Sequence, residues 1–384
     1  MSLHVIHSAR LVSGGEETVD AWVAFENDIV SALGTGDDWR ASGRGAVSVI
    51  DARGRLLTPG LIDMHCHGGG GSSFDGGGES IENALSLHHR HGSTRILLSL
   101  VTAGQSHLER TLSEVAGVAE RNPLVLGAHL EGPFLADSFR GAHDPTLLRA
   151  PDVESIERLL EAGRGQIRQV TLAPELPGAD SGMRRLLDAG VAVAVGHTGA
   201  DYDTALKAFD NGASILTHAF NGMRGIHHRM PGPVAAATRS SHVTLEVIND
   251  GVHVHPEIVR LAFSAAPGRI ALVTDAMAAA GASDGRYRLG TLDVTVTDRV
   301  ARADRGGSIA GSTLTLDHAL RQAVNEAGIA LVDAVSALTT TPARAIGYGH
   351  KLGLLAPGYA ADAVLFGEDF HVEVVFAAGR RLPT

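Results

Sequence analysis

Cysteine and lysine are almost absent from this sequence of 384 residues. Cys66 is the only cysteine, and Lys207 and Lys351 are the only lysines. A single cysteine excludes a disulfide framework within the chain and indicates a reducing compartment. Hydrophobic residues make up 44% and charged residues 20% of the chain, which excludes a disordered protein, because such proteins have few apolar residues.

Long hydrophobic runs and an excess of positive charge are also missing. The apolar runs, such as residues 96–101, are far too short to span a bilayer. The first residues have neither the basic start nor the long apolar stretch of a signal peptide, so we expect a cytoplasmic protein that binds no membrane. The net charge of -11 argues against a nucleic-acid-binding surface, which needs a basic patch. Histidine, by contrast, is abundant, with 20 residues, and several of them follow short apolar runs.

Eight short apolar runs between residues 57 and 273 alternate with amphipathic segments. Such runs are typical of parallel strands buried on both faces, and several amphipathic segments end in glycine, as helices commonly do. A doubly wound open sheet is the alternative, but the glycine-rich stretch 68–71 has no acidic residue placed to bind a ribose. The pattern predicts an α/β fold, a (β/α)8 TIM-type barrel over residues 56–349. Its strands are expected at 57–64, 95–101, 124–130, 169–173, 191–195, 214–216, 243–248 and 269–273, with helices at 106–120, 153–162 and 202–209 among others.

The two ends of the chain follow a different pattern. Residues 1–55 and 350–384 contain short alternating strands separated by turn residues, at 21–25, 47–50, 363–366 and 371–375. Neither end is long enough to form a stable sheet alone. We therefore expect one small β-sandwich domain, built from both ends of the chain, beside the barrel.

Side chains that bind metal ions follow several of the predicted strands. His65 and His67 are two residues apart, so on a strand they point to one face while Cys66 points to the other. Two imidazoles on one face suit a divalent metal of the zinc or iron type. If the polar strand ends were instead unrelated buried groups, each would need its own hydrogen-bonding partner. The third, fifth, sixth and eighth runs each end in a further residue of a type that binds metal ions, at the strand ends where barrel active sites are built. These four residues are Glu131, His197, His218 and Asp275.

This arrangement resembles the amidohydrolase superfamily, in which His-x-His follows strand one, an acid follows strand three, histidines follow strands five and six, and an aspartate follows strand eight. More closely, it is similar to the family of N-acetylglucosamine-6-phosphate deacetylases. The similarity covers the barrel and the flanking sandwich, and the blocks that contain Glu131 and His218 are the most specific. The matching blocks are LTPGLID (57–63), HLEGPF (129–134), GHT (196–198), THAFNGM (217–223), DGVH (250–253) and VTDA (273–276).

The resemblance implies a site for one or two divalent metal ions. Zinc is the expected metal, with iron, manganese and cobalt as alternatives. Other superfamily members bridge two metals with a carbamylated lysine, but neither lysine of this chain lies where that bridge is needed. The resemblance therefore assigns the bridging role to Glu131. Two ligand groups are implied, one of Glu131, His197 and His218, and a second of His65, His67, Glu131 and Asp275.

The resemblance also implies an activity and an assembly. The reaction is hydrolysis of the acetamide of N-acetylglucosamine 6-phosphate to glucosamine 6-phosphate and acetate, in amino-sugar catabolism and cell-wall recycling, by a homodimer. Asp275 would accept and pass on protons, and His253 would stabilise the acetyl carbonyl oxygen. The substrate contacts implied by the family motifs are Ala142, His143, Asn221, Gly222, Arg229, His253 and Ala310.

Two alternative functions stay open at this point. An N-acetylgalactosamine-6-phosphate deacetylase would carry the same motifs, because they say little about the C4 hydroxyl. A non-catalytic barrel that binds a sugar phosphate is the other alternative, but a pure binder has no use for Asp275 as a proton acceptor. The other histidines are expected at the surface or as helix caps: His88, His89, His91, His242 and His255.

Overall fold

The computed structural model describes residues 2–383 and contains two sheets of eight strands each. Among the helices of these residues, none is long and apolar enough to cross a bilayer. The strands are β1 (Leu3–Ser13), β2 (Glu16–Glu26), β3 (Ile29–Thr35), β4 (Ser48–Asp51), β5 (Leu56–Pro59), β6 (Leu61–Cys66), β7 (Gly68–Gly69), β8 (Ser72–Ser73), β9 (Ser93–Val101), β10 (Val125–Glu131), β11 (Ile167–Leu172), β12 (Ala192–Val195), β13 (Ile215–Leu216), β14 (Thr244–Ile248), β15 (Ile270–Val273), β16 (Gly285–Leu289), β17 (Leu292–Thr297), β18 (Val300–Ala303), β19 (Ala363–Phe366), β20 (Val372–Ala377) and β21 (Arg380–Leu382). The α-helices are α1 (Trp39–Ser42), α2 (Gly78–Arg90), α3 (Gln105–Arg121), α4 (Val153–Gly163), α5 (Ala179–Asp188), α6 (Tyr202–Asp210), α7 (Gly232–Arg239), α8 (Pro256–Ala265), α9 (Leu316–Asn325), α10 (Leu331–Ser336) and α11 (Thr340–Ala345).

Eight parallel strands form the barrel that the sequence predicts. They pair in the order β6, β9, β10, β11, β12, β13, β14 and β15. The first and last strands meet where the amide of Asp275 donates a hydrogen bond of 2.8 Å to the carbonyl of His65. Every residue of β9 and β10 is buried, as expected for strands covered by helices on one side and by the barrel interior on the other. The predicted (β/α)8 fold is confirmed.

Three helices around the barrel, α4, α6 and α8, are capped by a side chain at their starts, and the helices bury one face. Asp152 caps α4 by accepting a hydrogen bond from the amide of Ser155. On α3 the buried residues include Leu108, Leu112 and Val115, which are spaced by three or four residues and so lie on one face. The helices predicted at 106–120, 153–162 and 202–209 are all present, with bounds that differ by one residue at most.

The two chain ends form one domain, as predicted. Its strands hydrogen-bond in the order β21-β20-β19-β5-β1-β2-β3, with β4 beside β1. The sheet curls on itself: three strands lie between β2, which contains Phe25, and β20, which contains Phe376, yet the two ring centroids are 5.3 Å apart. Buried residues of both halves, such as Ile6 and Leu365, fill the space between them. One apolar core therefore lies between two facing layers.

The passage from this domain into the barrel occurs at Gly60. The strand β5 pairs with β1 and β19 in the chain-end sheet, whereas β6 begins the barrel at Leu61. The run predicted as one strand at 57–64 is therefore two strands in different sheets. A Cβ at Gly60 would lie 2.1 Å from Oγ1 of Thr94, so the close approach of the two domains requires glycine. The division into residues 1–55, 56–349 and 350–384 stays a prediction.

A buried ion pair joins the barrel to the chain-end domain. Nε and Nη2 of Arg95 on β9 donate hydrogen bonds of 2.6 and 3.0 Å to the two carboxylate oxygens of Asp362. Both side chains are less than a tenth exposed. Because the pair is bidentate and buried, removal of one partner leaves an uncompensated charge in the interior.

We expect Asp362→Ala to lower the free energy of unfolding by about 3–5 kcal/mol, because the Arg95 guanidinium would stay buried without its counterion. Urea unfolding at neutral pH measures the change. Glu157→Ala is the matched control, since it removes the exposed partner of Arg185 and should change stability by less than about 1 kcal/mol. Equal effects of the two variants would contradict a structural role for the buried pair.

Candidate active site

The ends of five barrel strands bring the predicted metal ligands together. His65 lies in β6, and Glu131 is the last residue of β10. His197, His218 and Asp275 each follow their strand, β12, β13 or β15, by two residues. All five residues are buried. Because the carboxyl ends of parallel strands meet at one rim of a barrel, residues far apart in sequence converge there.

Three of these residues adopt a left-handed backbone conformation. The φ angles are 46° at His197, 25° at His218 and 48° at Asp275. Residues other than glycine rarely adopt such angles, and each costs about 1–3 kcal/mol unless the surroundings enforce it. Such strain concentrates at functional sites. The repeated turn just after a barrel strand therefore marks this rim as the candidate site.

The first donor group consists of Glu131, His197 and His218. Oε1 of Glu131 lies 3.0 Å from Nε2 of His197 and 2.9 Å from Nε2 of His218. The two imidazole nitrogens are 3.0 Å apart. Nitrogens this close share one proton at most, so their lone pairs converge with the carboxylate oxygen, as the ligands of a cation do. Nε2 of His143 also approaches Oε2 of Glu131, at 3.5 Å.

The second donor group shares Glu131 with the first. Nε2 of His67 lies 3.2 Å from Oε2 of Glu131 and 3.2 Å from Oδ1 of Asp275. Nε2 of His65 is 3.2 Å from Nε2 of His67, so the two rings point to the same side, as strand alternation predicts. One donor atom from each of the four residues fits within a 4.8 Å cluster. Glu131 thus offers one oxygen to each group, as a bridging carboxylate does.

The two carboxylates give this site an affinity for positive charge. Burial lowers the pKa of a histidine, but hydrogen bonds to Asp275 and Glu131 outweigh it and raise the pKa of His67 to about 9. Burial raises the pKa of a carboxyl group, yet the facing histidines, His65 above all, together outweigh it and hold the pKa of Glu131 and of Asp275 below the usual values. Both carboxylates are therefore ionised at neutral pH, and a cation between them is stabilised.

Cys66 lies on the opposite side of the segment from His65 and His67, as predicted. Its Sγ is 3.2 Å from Nε2 of His88, which in turn lies 2.9 Å from the carbonyl oxygen of Gly68. The expectation that His88 lies at the surface is wrong, because α2 packs it fully buried against the segment after β6. Burial lowers the pKa of His88 to about 4, so this imidazole is neutral.

Glu246, in the middle of β14, is a site residue that the sequence analysis misses. Its Oε2 lies 3.0 Å from Nδ1 of His65, and its Oε1 accepts a hydrogen bond of 2.7 Å from Nε2 of Gln169. The carboxylate is fully buried. A carboxylate that holds Nδ1 of a histidine fixes the ring, and here it directs Nε2 toward the second donor group. The signal in the sequence is one acidic residue within the apolar run 243–248.

We expect Glu246→Gln to weaken metal binding at the second donor group by about 10–100-fold, because the amide holds Nδ1 of His65 less strongly. The metal content after dialysis against graded chelator concentrations measures the affinity. Glu109→Gln serves as the control and should leave the affinity unchanged, because Glu109 is a partly exposed residue of α3 that pairs with Arg158 and belongs to neither donor group. An unaltered affinity in Glu246→Gln would limit this residue to a packing role.

A cavity of about 240 Å³ opens onto both donor groups. Ala310 is buried beside it, between Ile309 and Gly311, which do line it. Arg229 is exposed and outside the lining, with Nη1 2.7 Å from Nε2 of His228. Its phosphate-binding role stays a prediction. The predicted residues in the lining are Ala142, His143, Asn221, Gly222, His253, Asp275, His67, Glu131, His197 and His218.

His253 enters this cavity from the segment after β14. Nδ1 of His253 lies 2.7 Å from Oδ2 of Asp250, and the same carboxylate accepts a hydrogen bond from the His253 amide. Burial lowers the pKa of His253, but the hydrogen bond with Asp250 outweighs it, and the pKa lies above its usual value. The protonated ring can donate a hydrogen bond from Nε2 while Nδ1 is held by Asp250.

Comparison with known proteins agrees with this geometry. A profile described as the amidohydrolase family matches residues 56–382. The chain belongs to the amidohydrolase family. The N-acetylgalactosamine-6-phosphate deacetylase of Escherichia coli O157:H7 is 38% identical over 338 residues, which cover 87% of this chain and 89% of the relative. The N-acetylglucosamine-6-phosphate deacetylase of Vibrio furnissii is 35% identical over 384 residues, which cover 98% and 94%.

A solved structure shares the whole fold with this amidohydrolase. It is an aspartate-to-alanine variant of N-acetyl-D-glucosamine-6-phosphate deacetylase from Mycobacterium smegmatis, in complex with N-acetyl-D-glucosamine-6-phosphate. The sequences are 42% identical, the TM-score is 0.94, and all of both chains is covered. Members of the amidohydrolase superfamily depend on metal ions, and the converging imidazole nitrogens and ionised carboxylates of this chain fit that requirement.

Proposed function

We propose that this chain hydrolyses the acetamide of N-acetylglucosamine 6-phosphate to glucosamine 6-phosphate and acetate. One observation carries the proposal: a single cavity is lined by residues of both donor groups, Asp275 among them, and by His253. An amide resists hydrolysis because its carbonyl is a poor electrophile and its amine a poor leaving group. The cavity combines a cation site, a proton acceptor and a donor for the carbonyl oxygen, which together address both difficulties.

The proposed ligands of the divalent ions are the two donor groups that share Glu131. The nitrogen and carboxylate set accepts zinc, and also iron, manganese or cobalt. A bound ion would supply Lewis acidity, which lowers the pKa of water to about 7 and so would make hydroxide available near neutral pH. One or two ions per subunit are proposed: one with Glu131, His197 and His218, and one with His65, His67, Glu131 and Asp275.

Asp275 is the proposed general base and acid. Its carboxylate is ionised and lines the cavity, with Oδ1 3.2 Å from Nε2 of His67. It can therefore accept a proton from the attacking water and later give it to the nitrogen of the departing amine. His253 is proposed to donate a hydrogen bond from Nε2 to the acetyl carbonyl oxygen, where negative charge develops.

The preference between two hexosamine epimers is part of the proposal. The structure at 42% identity holds the gluco substrate, whereas the relative at 38% identity is named for the galacto substrate. Acetate release from N-acetylglucosamine 6-phosphate and N-acetylgalactosamine 6-phosphate, with metal content measured on the same sample, tests it. A higher kcat/KM on the galacto sugar would favour an N-acetylgalactosamine-6-phosphate deacetylase. Absence of acetate release from both sugars would favour a non-catalytic binding barrel.

We further propose that Arg229 reads the 6-phosphate and that the protein is a cytoplasmic homodimer. The segment around Arg229 exposes Ile226 and Met230, whose side chains are more than half exposed, as residues at an interface between two copies would be. In such a dimer, the exposed guanidinium of Arg229 would be within reach of the active-site cavity of the partner subunit. Light scattering at the concentration of the activity assay tests the dimer.

Arg229→Ala should lower kcat/KM for N-acetylglucosamine 6-phosphate by about 10–200-fold, because a hydrogen bond between two charged groups is lost. Activity on unphosphorylated N-acetylglucosamine should hardly change, since that sugar never used the contact. Arg229→Lys should recover only part of the loss, because an ammonium group lacks the bidentate fork. Equal losses on both sugars would mean that Arg229 supports the loop rather than binding phosphate.

A further inference from the structure

A second, larger cavity of about 840 Å³ lies at the opposite end of the barrel from the donor groups. Its wall contains Arg168 in β11, Ala192 at the start of β12, Ser214 just before β13 and Thr244 at the start of β14. The starts of parallel strands lie at the rim opposite to their ends, so the barrel core separates this cavity from the site at Asp275. Its volume is in the range of small-molecule binding sites.

The charged residues of this cavity are all basic. Arg168, Arg269 and Arg344 line it, and no aspartate or glutamate does. Across residues 2–383, none of the three arginines has a carboxylate partner within ion-pair distance; their hydrogen bonds go to backbone carbonyls and one amide side chain. The whole chain has 43 acidic and 32 basic residues and is therefore acidic overall. Three arginines without a carboxylate partner around one cavity make this cavity basic, in contrast to the chain as a whole. Such a concave basic surface attracts anions.

The three arginines differ in how many donors they have left. Arg269 is committed to the structure, because Nη1 donates to the carbonyls of Ala237, Ser240 and Val243, and Nη2 to that of Thr238. These bonds satisfy carbonyls at and after the end of α7.

Arg344 and Arg168 retain free N–H groups. Nη2 of Arg344 donates to the carbonyl of Gly268 at 2.9 Å, and Arg168 donates from Nε to Leu126 and from Nη2 to Gln166. In the part of the chain that the structure describes, Nε and Nη1 of Arg344 and Nη1 of Arg168 make no other side-chain hydrogen bond. These two arginines are therefore positioned by hydrogen bonds to backbone carbonyls and to the Gln166 side chain, and they are still able to bind an anion.

We propose that this cavity binds an organic phosphate, a phosphate monoester on a group the size of a sugar or larger. The phosphate oxygens would accept hydrogen bonds from Arg344 and Arg168, because guanidinium N–H groups match phosphate geometry. A bare phosphate ion would fill only a small part of the volume. The apolar lining provided by Leu187, Val191 and Ile346 suits the organic part of the ligand.

Calorimetric titration of the metal-loaded protein with glucose 6-phosphate and with AMP tests this proposal and separates a sugar phosphate from a nucleotide. Glucose and adenosine are the uncharged counterparts. At least one of the two phosphate esters is expected to bind. Arg344→Gln and Arg168→Gln should each weaken that binding by about tenfold or more. Arg90→Gln should not change the binding of the phosphate ester, because Arg90 is an exposed arginine that donates a hydrogen bond to Ser86 and does not line the cavity.

Acetate release by the two cavity variants should equal that of the unaltered protein, which also shows that they are folded. The proposal is overturned if neither phosphate binds at millimolar concentration. It is also overturned if glucose or adenosine binds as tightly as its phosphate ester. Binding that persists in both Arg344→Gln and Arg168→Gln would place the ligand elsewhere, for example at the site of Asp275, and would overturn the proposal as well.

Discussion

Asp275→Asn is expected to lower the turnover of N-acetylglucosamine 6-phosphate by about 10²–10⁴-fold. Asparagine keeps the size and much of the hydrogen bonding of the aspartate, but it cannot accept a proton. The native carboxylate is buried, and His65 and the other facing imidazoles keep it ionised at neutral pH, so it is ready to act as a base. Acetate release at saturating substrate measures kcat directly, which separates loss of proton transfer from loss of substrate binding.

Two controls make the result specific to proton transfer. Metal bound through Glu131, His197 and His218 should largely remain in Asp275→Asn, because Asp275 is not part of that group. Asp317→Asn changes a partly buried aspartate that pairs with His91 at 2.8 Å outside the site, and it should leave turnover unchanged. If Asp275→Asn turned over substrate at a near-normal rate, the assigned role would be wrong.

The barrel and the positions of its ligands could be predicted because both depend on local signals. A strand buried on both faces must be a short, nearly continuous apolar run, so eight such runs could be counted directly. A barrel then places whatever follows each run at one rim. Glu131, His197 and His218 were therefore expected to converge although 87 residues separate the first from the last. Strand alternation placed His65 and His67 on one side, and the structure agrees.

Features that depend on packing between distant elements were not predicted. His88 lies on the buried face of α2, and Glu246 is the one acidic residue in an apolar strand. No local pattern states that Glu246 reaches the ring of His65 or that His88 meets Cys66. The antiparallel sheet of β16, β17 and β18 was also missed, because it interrupts the alternation of strand and helix after β15. The place of Arg229 depends on an exposed loop, whose conformation no hydrophobic periodicity specifies.

The shared carboxylate of Glu131 leads to the second large effect. Glu131→Gln should lower the metal affinity of both donor groups by more than about 100-fold, since even the outer partners of metal ligands contribute 10–100-fold. An amide is neutral and offers one oxygen, whereas the carboxylate offers Oε1 to His197 and His218 and Oε2 to His67. Acetate release should fall to background, and metal analysis should find little bound ion.

The paired variant His65→Asn with His67→Asn distinguishes a bridged two-ion site from a single-ion site. It removes two ligands of the second group but leaves Glu131, His197 and His218 intact, so one ion should remain bound. If two ions act together, turnover should fall, though less than in Glu131→Gln, which disturbs both groups. Unchanged turnover with one bound ion would exclude the two-ion proposal and leave the one-ion proposal standing. Retention of metal and activity in Glu131→Gln would contradict both, because neither donor group can be complete without that carboxylate.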